Sequence, residues 1–213
     1  MVAFRPQKPF PMAAVDRGAG DSTRAELLAT RFHPQPALFA SFRAVPGGAL
    51  PQPFRGLLDH ASHMTVAMER FYGGPVGVVI VAEHVAGGGT EDREAWYERE
   101  ILLRMADGRI VQHGIVRIDL GRVPQPVAAE IRAGRTPLGR VLITAGMLLK
   151  VHRVGLLAVD PGRELRALLE PDGPPEGDGT QTFGRVAEIA VNGVPAVELL
   201  EIVAPGPLPK VLP

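Results

Sequence analysis

The chain has 213 residues, enough to bury one sizeable core, and its 23 basic and 23 acidic residues cancel, so no global field draws it to nucleic acid or an anionic membrane. It has no cysteine, which excludes disulfides, thiolate nucleophiles, iron–sulfur clusters and cysteine-ligated zinc. No apolar run approaches the roughly 20 residues that span a bilayer, and prolines break the amino-terminal MVAFRPQKPFPMAAVDRG before an apolar stretch develops, so the reading is a cytoplasmic protein without a signal peptide.

Residues 1–50 carry Pro and Gly every few positions, with helix-like spacing only from Ser22 to Phe32. They read as an extension that wraps the domain or is partly disordered, and a chain beginning near Pro51 is expected to keep the pocket. Residues 51–213 read as the domain itself. Leu57, Leu58, Ala61, Met64, Thr65, Met68 and Phe71 recur at three-and-four spacing, which predicts one amphipathic helix ended by Gly73-Gly74-Pro75. Val76 to Val85 reads as a strand, a glycine-rich turn covers Gly87 to Thr90, and Asp107-Gly108 joins Trp96–Arg104 to Arg109–Leu120 as an antiparallel hairpin.

Pro124 to Ala133 has helical periodicity with Gly134 as its stop, and Thr136-Pro137 supplies an N-cap and a first-turn proline for a helix over Leu138 to Val151. Pro161 to Leu169 reads as a short helix and Pro171 to Gly179 as an acidic, mobile loop. Asn192-Gly193 is the strongest hairpin signal, between Thr182–Val191 and Ala196–Val203. Five or six strands in hairpins with helices between them imply an α+β fold, an antiparallel sheet with helices on one face.

Two charged residues stand on apolar strand faces. Period-two alternation puts Arg99 with Tyr97, Ile101 and Leu103, where a guanidinium that cannot shed its charge must find an anion. It is either half of a structural ion pair or a clamp for a ligand carboxylate. Glu201 shares a face with Val197, Leu199 and Val203. It is either the partner of Arg99 or Arg185, or a desolvated carboxyl suited to general acid or base work. The start of the helix at Leu138-Gly139 offers unsatisfied N–H groups to a carboxylate, a weak signal alone. His60 and His63 lie three apart, but no third ligand has metal-site spacing, so neither metal nor cofactor is expected. No phosphate loop, dinucleotide fingerprint or nucleophile elbow is present.

Met64-Thr65, the run Tyr97 to Leu103, Asp107-Gly108, Gly114, Thr136 to Arg140 and Leu199-Leu200-Glu201, in this order, resemble the chorismate pyruvate-lyases from about Leu57 to Val203. The resemblance implies a sheet of about six antiparallel strands with helical flaps over a buried ligand, and cofactor-free elimination of pyruvate from chorismate to leave 4-hydroxybenzoate. It implies that Arg99 binds the ring carboxylate, that Glu201 faces the ring hydroxyl and assists proton transfer, and that backbone groups at Met64 and Leu138 contact the ligand. The alternatives are a non-catalytic binder of aromatic carboxylates and a different lyase on the same fold. Either way the expected partner is a small molecule, without nucleic acid or membrane.

Overall fold

The computed structural model describes residues 20–86, 96–171 and 181–205. The chain begins with α1 (Asp21–Ala29), α2 (Pro36–Phe39) and a short strand β1 (Ala40–Ala44), followed by α3 (Phe54–Leu58) and α4 (Met64–Tyr72). Strands β2 (Val76–Ala86), β3 (Trp96–Met105) and β4 (Ile110–Asp119) form one antiparallel meander. Then come α5 (Gln125–Ala133), α6 (Leu138–Thr144), β5 (Leu149–Pro161), α7 (Arg163–Leu169), β6 (Thr182–Val191) and β7 (Val194–Val203). The second meander, β5-β6-β7, joins the first through β4 and β7, and β1 pairs with the outer edge of β5. The result is one seven-stranded antiparallel sheet in the order β1-β5-β6-β7-β4-β3-β2. The α+β class is as the sequence indicates.

The hairpins follow local chemistry. Asn192 and Gly193 both have positive φ, 52° and 83°, the backbone of a two-residue turn whose twist matches its strands. Gly134 ends α5 at φ 65°, and its N–H returns to the Ile131 carbonyl. Elsewhere the structure departs from the sequence reading. The helix expected from Leu57 to Phe71 is two helices, because residues 59–63 leave helical geometry before α4 starts at Met64. The helix expected from Leu138 to Val151 stops at Thr144, and Leu149 onward is β5. That strand is irregular, with a register shift between His152 and Gly155 and Arg153 at φ 50°, so its alternation is broken in the sequence. Thr136 does not cap α6; Pro137 holds the cap position and the Thr136 hydroxyl donates to Glu130. The expected turn at Gly87–Thr90 and most of the acidic loop lie outside the described residues.

Both faces of the sheet are covered, not one. On the first face Val116, Ala187, Ile189 and Leu199 pack with Ile131 of α5 and Leu138, Val141 and Leu142 of α6, while Ile101 and Leu103 pack with Met64 and Met68 of α4. On the second, Ile115, Leu157, Val186, Leu200 and Ile202 meet Ala25 and Leu28 of α1, Phe39 of α2 and Leu165 of α7. Each Leu or Phe buried there contributes about 1.5–3 kcal/mol relative to exposure. Residues 21–44, read from the sequence as extension, therefore supply a strand and part of a core layer.

The second face also buries charge. Glu98, fully buried, accepts from Arg31 Nη2 at 2.6 Å and from Arg117 Nε at 2.7 Å, and Arg117 continues to Glu198. Burial pushes the Glu100 carboxyl up, but hydrogen bonds from His113 and His33 outweigh it and hold it at about 2. No helix among the described residues is long and apolar enough to cross a membrane.

Candidate binding site beneath α4 and α6

The first face of the sheet is organised in rows of directly opposed residues. One row runs Ile101, Gly114, Glu201, Arg185 across β3, β4, β7 and β6. The next runs Arg99, Val116, Leu199, Ala187. Over these rows the first turns of α4 and α6 leave a cavity with about 460 Å³ of empty space, part of it continuous with solvent. Its floor is Ile101, Leu103, Val116, Ile189 and Leu199, its roof His63, Met64, Thr65, Pro137, Leu138 and Gly139, and its polar groups are Gln112, Arg185 and Glu201. Gly114 keeps the floor low: a Cβ there would stand 3.2 Å from Ile101 Cγ1.

Three of the four sequence-derived site residues meet at this cavity. Met64 and Leu138 open α4 and α6, and Glu201 reaches in from β7. Glu201 is not free, because Arg185 Nε donates to its Oε2 at 2.7 Å. Of the two partners the sequence allowed, the structure selects Arg185. The same guanidinium donates from Nη1 to the His60 carbonyl at 3.0 Å and from Nη2 to the Ser62 carbonyl at 3.1 Å, so it ties the segment before α4 to the sheet. Arg185 faces Glu201 because a bulge between Ile189 and Ala190 shifts the register that the Asn192-Gly193 turn starts, so the pairing could not be read from the hairpin alone.

Arg99 does not line the cavity. It lies one row beyond, beside Val116, and forms no ion pair with Glu201, whose partner is Arg185. Its side chain is fully buried, with Nη1 donating to the Ile131 carbonyl at 3.2 Å, while Nε and Nη2 meet no hydrogen-bond partner. Burial lowers its pKa, and Tyr97, by charge and hydrogen bonding, and the Glu83 carboxylate behind it oppose the shift. The Tyr97 hydroxyl donates to Glu83, and burial with that carboxylate pushes the phenol up to about 12.

His60 and His63 are not in a group with metal-ligand spacing among the described residues. His60 Nδ1 accepts from the Ser62 backbone, and His63 occupies the cap position of α4. Burial lowers the pKa of both, with Arg185 adding to the effect and Glu201 opposing it. Gly139 lets the starts of the two roof helices touch, since a Cβ there would lie 3.3 Å from His63. Among the described residues the group with metal-ligand spacing is elsewhere: His33, Glu100 and His113.

The architecture is a sheet with a roofed cleft, and solved structures of known proteins share it in part. PhnF from Mycobacterium smegmatis is similar over 68% of this chain and 64% of its own, with 15% identity and a TM-score of 0.52. The chain thus spans just under two thirds of PhnF, and the likeness is one of fold. The separately solved effector domain of PhnF matches over 68% of this chain and 89% of its own at 14% identity, TM-score 0.49. A GntR-family transcriptional regulator from Enterococcus faecalis matches over 60% and 93% at 16% identity, TM-score 0.45. No protein-family model matches the chain, and no curated protein does.

These findings correct the lyase expectation. A solved structure that shares the architecture is that of PhnF, and the assignment to chorismate, pyruvate and 4-hydroxybenzoate chemistry is withdrawn. The geometry gives a physical reason. A carboxylate already engaged by Arg185 is a poor proton shuttle, and Arg99 stands outside the cavity that Glu201 faces.

Proposed function

We propose that this chain is a small-molecule-binding domain of the effector type, and that its ligand is a small organic acid held between the sheet and the starts of α4 and α6. The observation that carries the reading is Arg99. A guanidinium fully buried with Nε and Nη2 outside hydrogen-bonding geometry, and with Glu83 reaching it only from behind the Tyr97 hydroxyl, is a costly arrangement that a directly bound anion would complete. Arg99 adjoins Val116, which is part of the cavity floor, so an acid seated over Ile101 and Leu199 has its carboxylate within reach of a modest side-chain movement. A bidentate contact at Nε and Nη2 then supplies both missing partners. The backbone starts of α4 and α6 at Met64 and Leu138 close over the body of the ligand, and the Arg185–Glu201 pair offers polar contacts at the other end. The fold shared with PhnF, a protein with its own effector domain, supports this class.

The test is thermal unfolding and calorimetric titration with a series from acetate to benzoate and 4-hydroxybenzoate, beside the neutral benzamide. An acid of the right size should raise stability by about 2.7 kcal/mol at a hundred times its Kd, while benzamide should not bind. If every acid fails, or benzamide binds equally well, the reading is wrong.

A further inference from the structure

On the opposite face of the sheet, three potential ligand atoms from three separate parts of the chain converge. His33, in the connection after α1, places Nε2 at 2.7 Å from Glu100 Oε1, and His113 on β4 places its own Nε2 at 2.7 Å from the same oxygen. Glu164, from the first turn of α7, takes the other nitrogen of His33, Nδ1, at 2.9 Å. The three converging side chains are buried, with His113, Glu100 and His33 0, 4 and 11% exposed against 34% for Glu164, and Phe39 stacks on the His33 ring.

The charges do not close with neutral side chains. A neutral imidazole carries one N–H, yet His33 faces a carboxylate at each nitrogen, so one contact sets a lone pair against an anion unless a cation lies between them. Among the described residues no Lys or Arg pairs with Glu100 or Glu164. A proton on His33 relieves one contact and leaves the cluster one negative charge in excess. A divalent ion neutralises both carboxylates and uses each histidine as a neutral ligand.

We propose that His33, Glu100 and His113 form a binding site for a divalent transition-metal ion of the zinc type, with Glu164 orienting His33. Two imidazoles and one carboxylate suit zinc, leaving a position for water. A carboxylate on the far nitrogen of a ligating histidine sets its tautomer and strengthens it as a ligand. Bonds of about 2.0–2.1 Å separate neighbouring ligand atoms by about 3.3 Å in a tetrahedral site, so the Glu100 oxygen retreats by roughly 0.6 Å to admit the ion. Such an ion clamps the connection after α1 and the start of α7 onto β3 and β4. It is a staple for the second face, independent of the ligand cleft on the first.

The experiment uses the full chain without an affinity tag, stripped with chelator and titrated with Co²⁺ and then Zn²⁺. Visible ligand-field bands should develop to one equivalent of Co²⁺ and vanish with one equivalent of Zn²⁺, and Zn²⁺ should raise the unfolding temperature. His33→Ala should weaken Zn²⁺ binding by at least about 100-fold and Glu164→Gln by about 10-fold or more. Both sites are at the margin of the core, so circular dichroism should show that each variant folds. Replacing His60 and His63 together should leave the metal titration unchanged, as should Arg99→Met. Absence of Co²⁺ bands and of any Zn²⁺-dependent stabilisation at millimolar metal overturns the proposal, as does parental affinity in His33→Ala. The cluster is then a proton-bridged structural network, and the ligand cleft is unaffected by that outcome.

Discussion

Arg99→Met separates a residue kept for the fold from one kept for a ligand. In the unliganded protein the parent buries a guanidinium with Nε and Nη2 unpaired, at about 1–3 kcal/mol for each unsatisfied group. Against this it makes a hydrogen bond from Nη1 to the Ile131 carbonyl, worth about 1.5–3 kcal/mol for a charged donor, and gains some attraction from Tyr97 and Glu83. Methionine fills a similar volume without charge, and the Ile131 carbonyl keeps a partner because the Gly134 N–H also donates to it. At mid-range values the balance favours the variant by about 2 kcal/mol, taken as about 1–3 kcal/mol, in line with the gain seen when buried charges are replaced by apolar side chains of like size. At about 2–4 °C per kcal/mol for a chain of this length, the unfolding temperature should rise by roughly 2–12 °C. Binding of the organic acid should be lost in the same variant. The assay is urea and thermal unfolding of both proteins with and without the acid found by titration. A variant less stable than the parent by more than about 1 kcal/mol would show that Arg99 holds the structure together, and the argument from its unpaired nitrogens would fail.

Glu201→Leu should cost about 3–5 kcal/mol, because it leaves the 1%-exposed Arg185 without its carboxylate, and Arg185→Met with Glu201→Leu should recover most of the loss; urea unfolding of the singles and the double tests this, and a single variant within about 1 kcal/mol of the parent contradicts it. A chain beginning at Pro51 loses α1, α2 and β1 with buried Leu28, Phe39 and Phe42, so it should be insoluble or molten, which gel filtration and near-ultraviolet dichroism would reveal. The Tyr97 phenol, pushed up to about 12 by burial and Glu83, should stay neutral at pH 10, and Tyr72 is raised by burial against Arg109. The raised folded-state value means Tyr97 contributes stability below its ordinary pKa of 10.0 and loses it as pH climbs through about 12. Phenolate absorbance following the native protein should therefore show no full tyrosine step at or below pH 10.

Local signals carried the α+β class. Asn192-Gly193 and Asp107-Gly108 mark hairpins because their positive-φ turns are properties of a few adjacent residues, and period-two alternation placed Arg99 and Glu201 on apolar faces without knowledge of the third dimension. Met64, Leu138 and Glu201 do line one cleft. What sequence could not decide was partnership. Glu98, Glu100, His113 and Arg117 have the polarity of a solvated face, yet they are buried, because they bond one another and Arg31 and His33, the last two from 67 residues away in sequence. β1 and β5 were missed for a related reason: the first is short and the second bulged, and each becomes a strand through pairing with a neighbour rather than through its own pattern. The choice of Arg185 over Arg99 as the partner of Glu201 rests on register between β6 and β7, a long-range alignment that only the assembled sheet expresses.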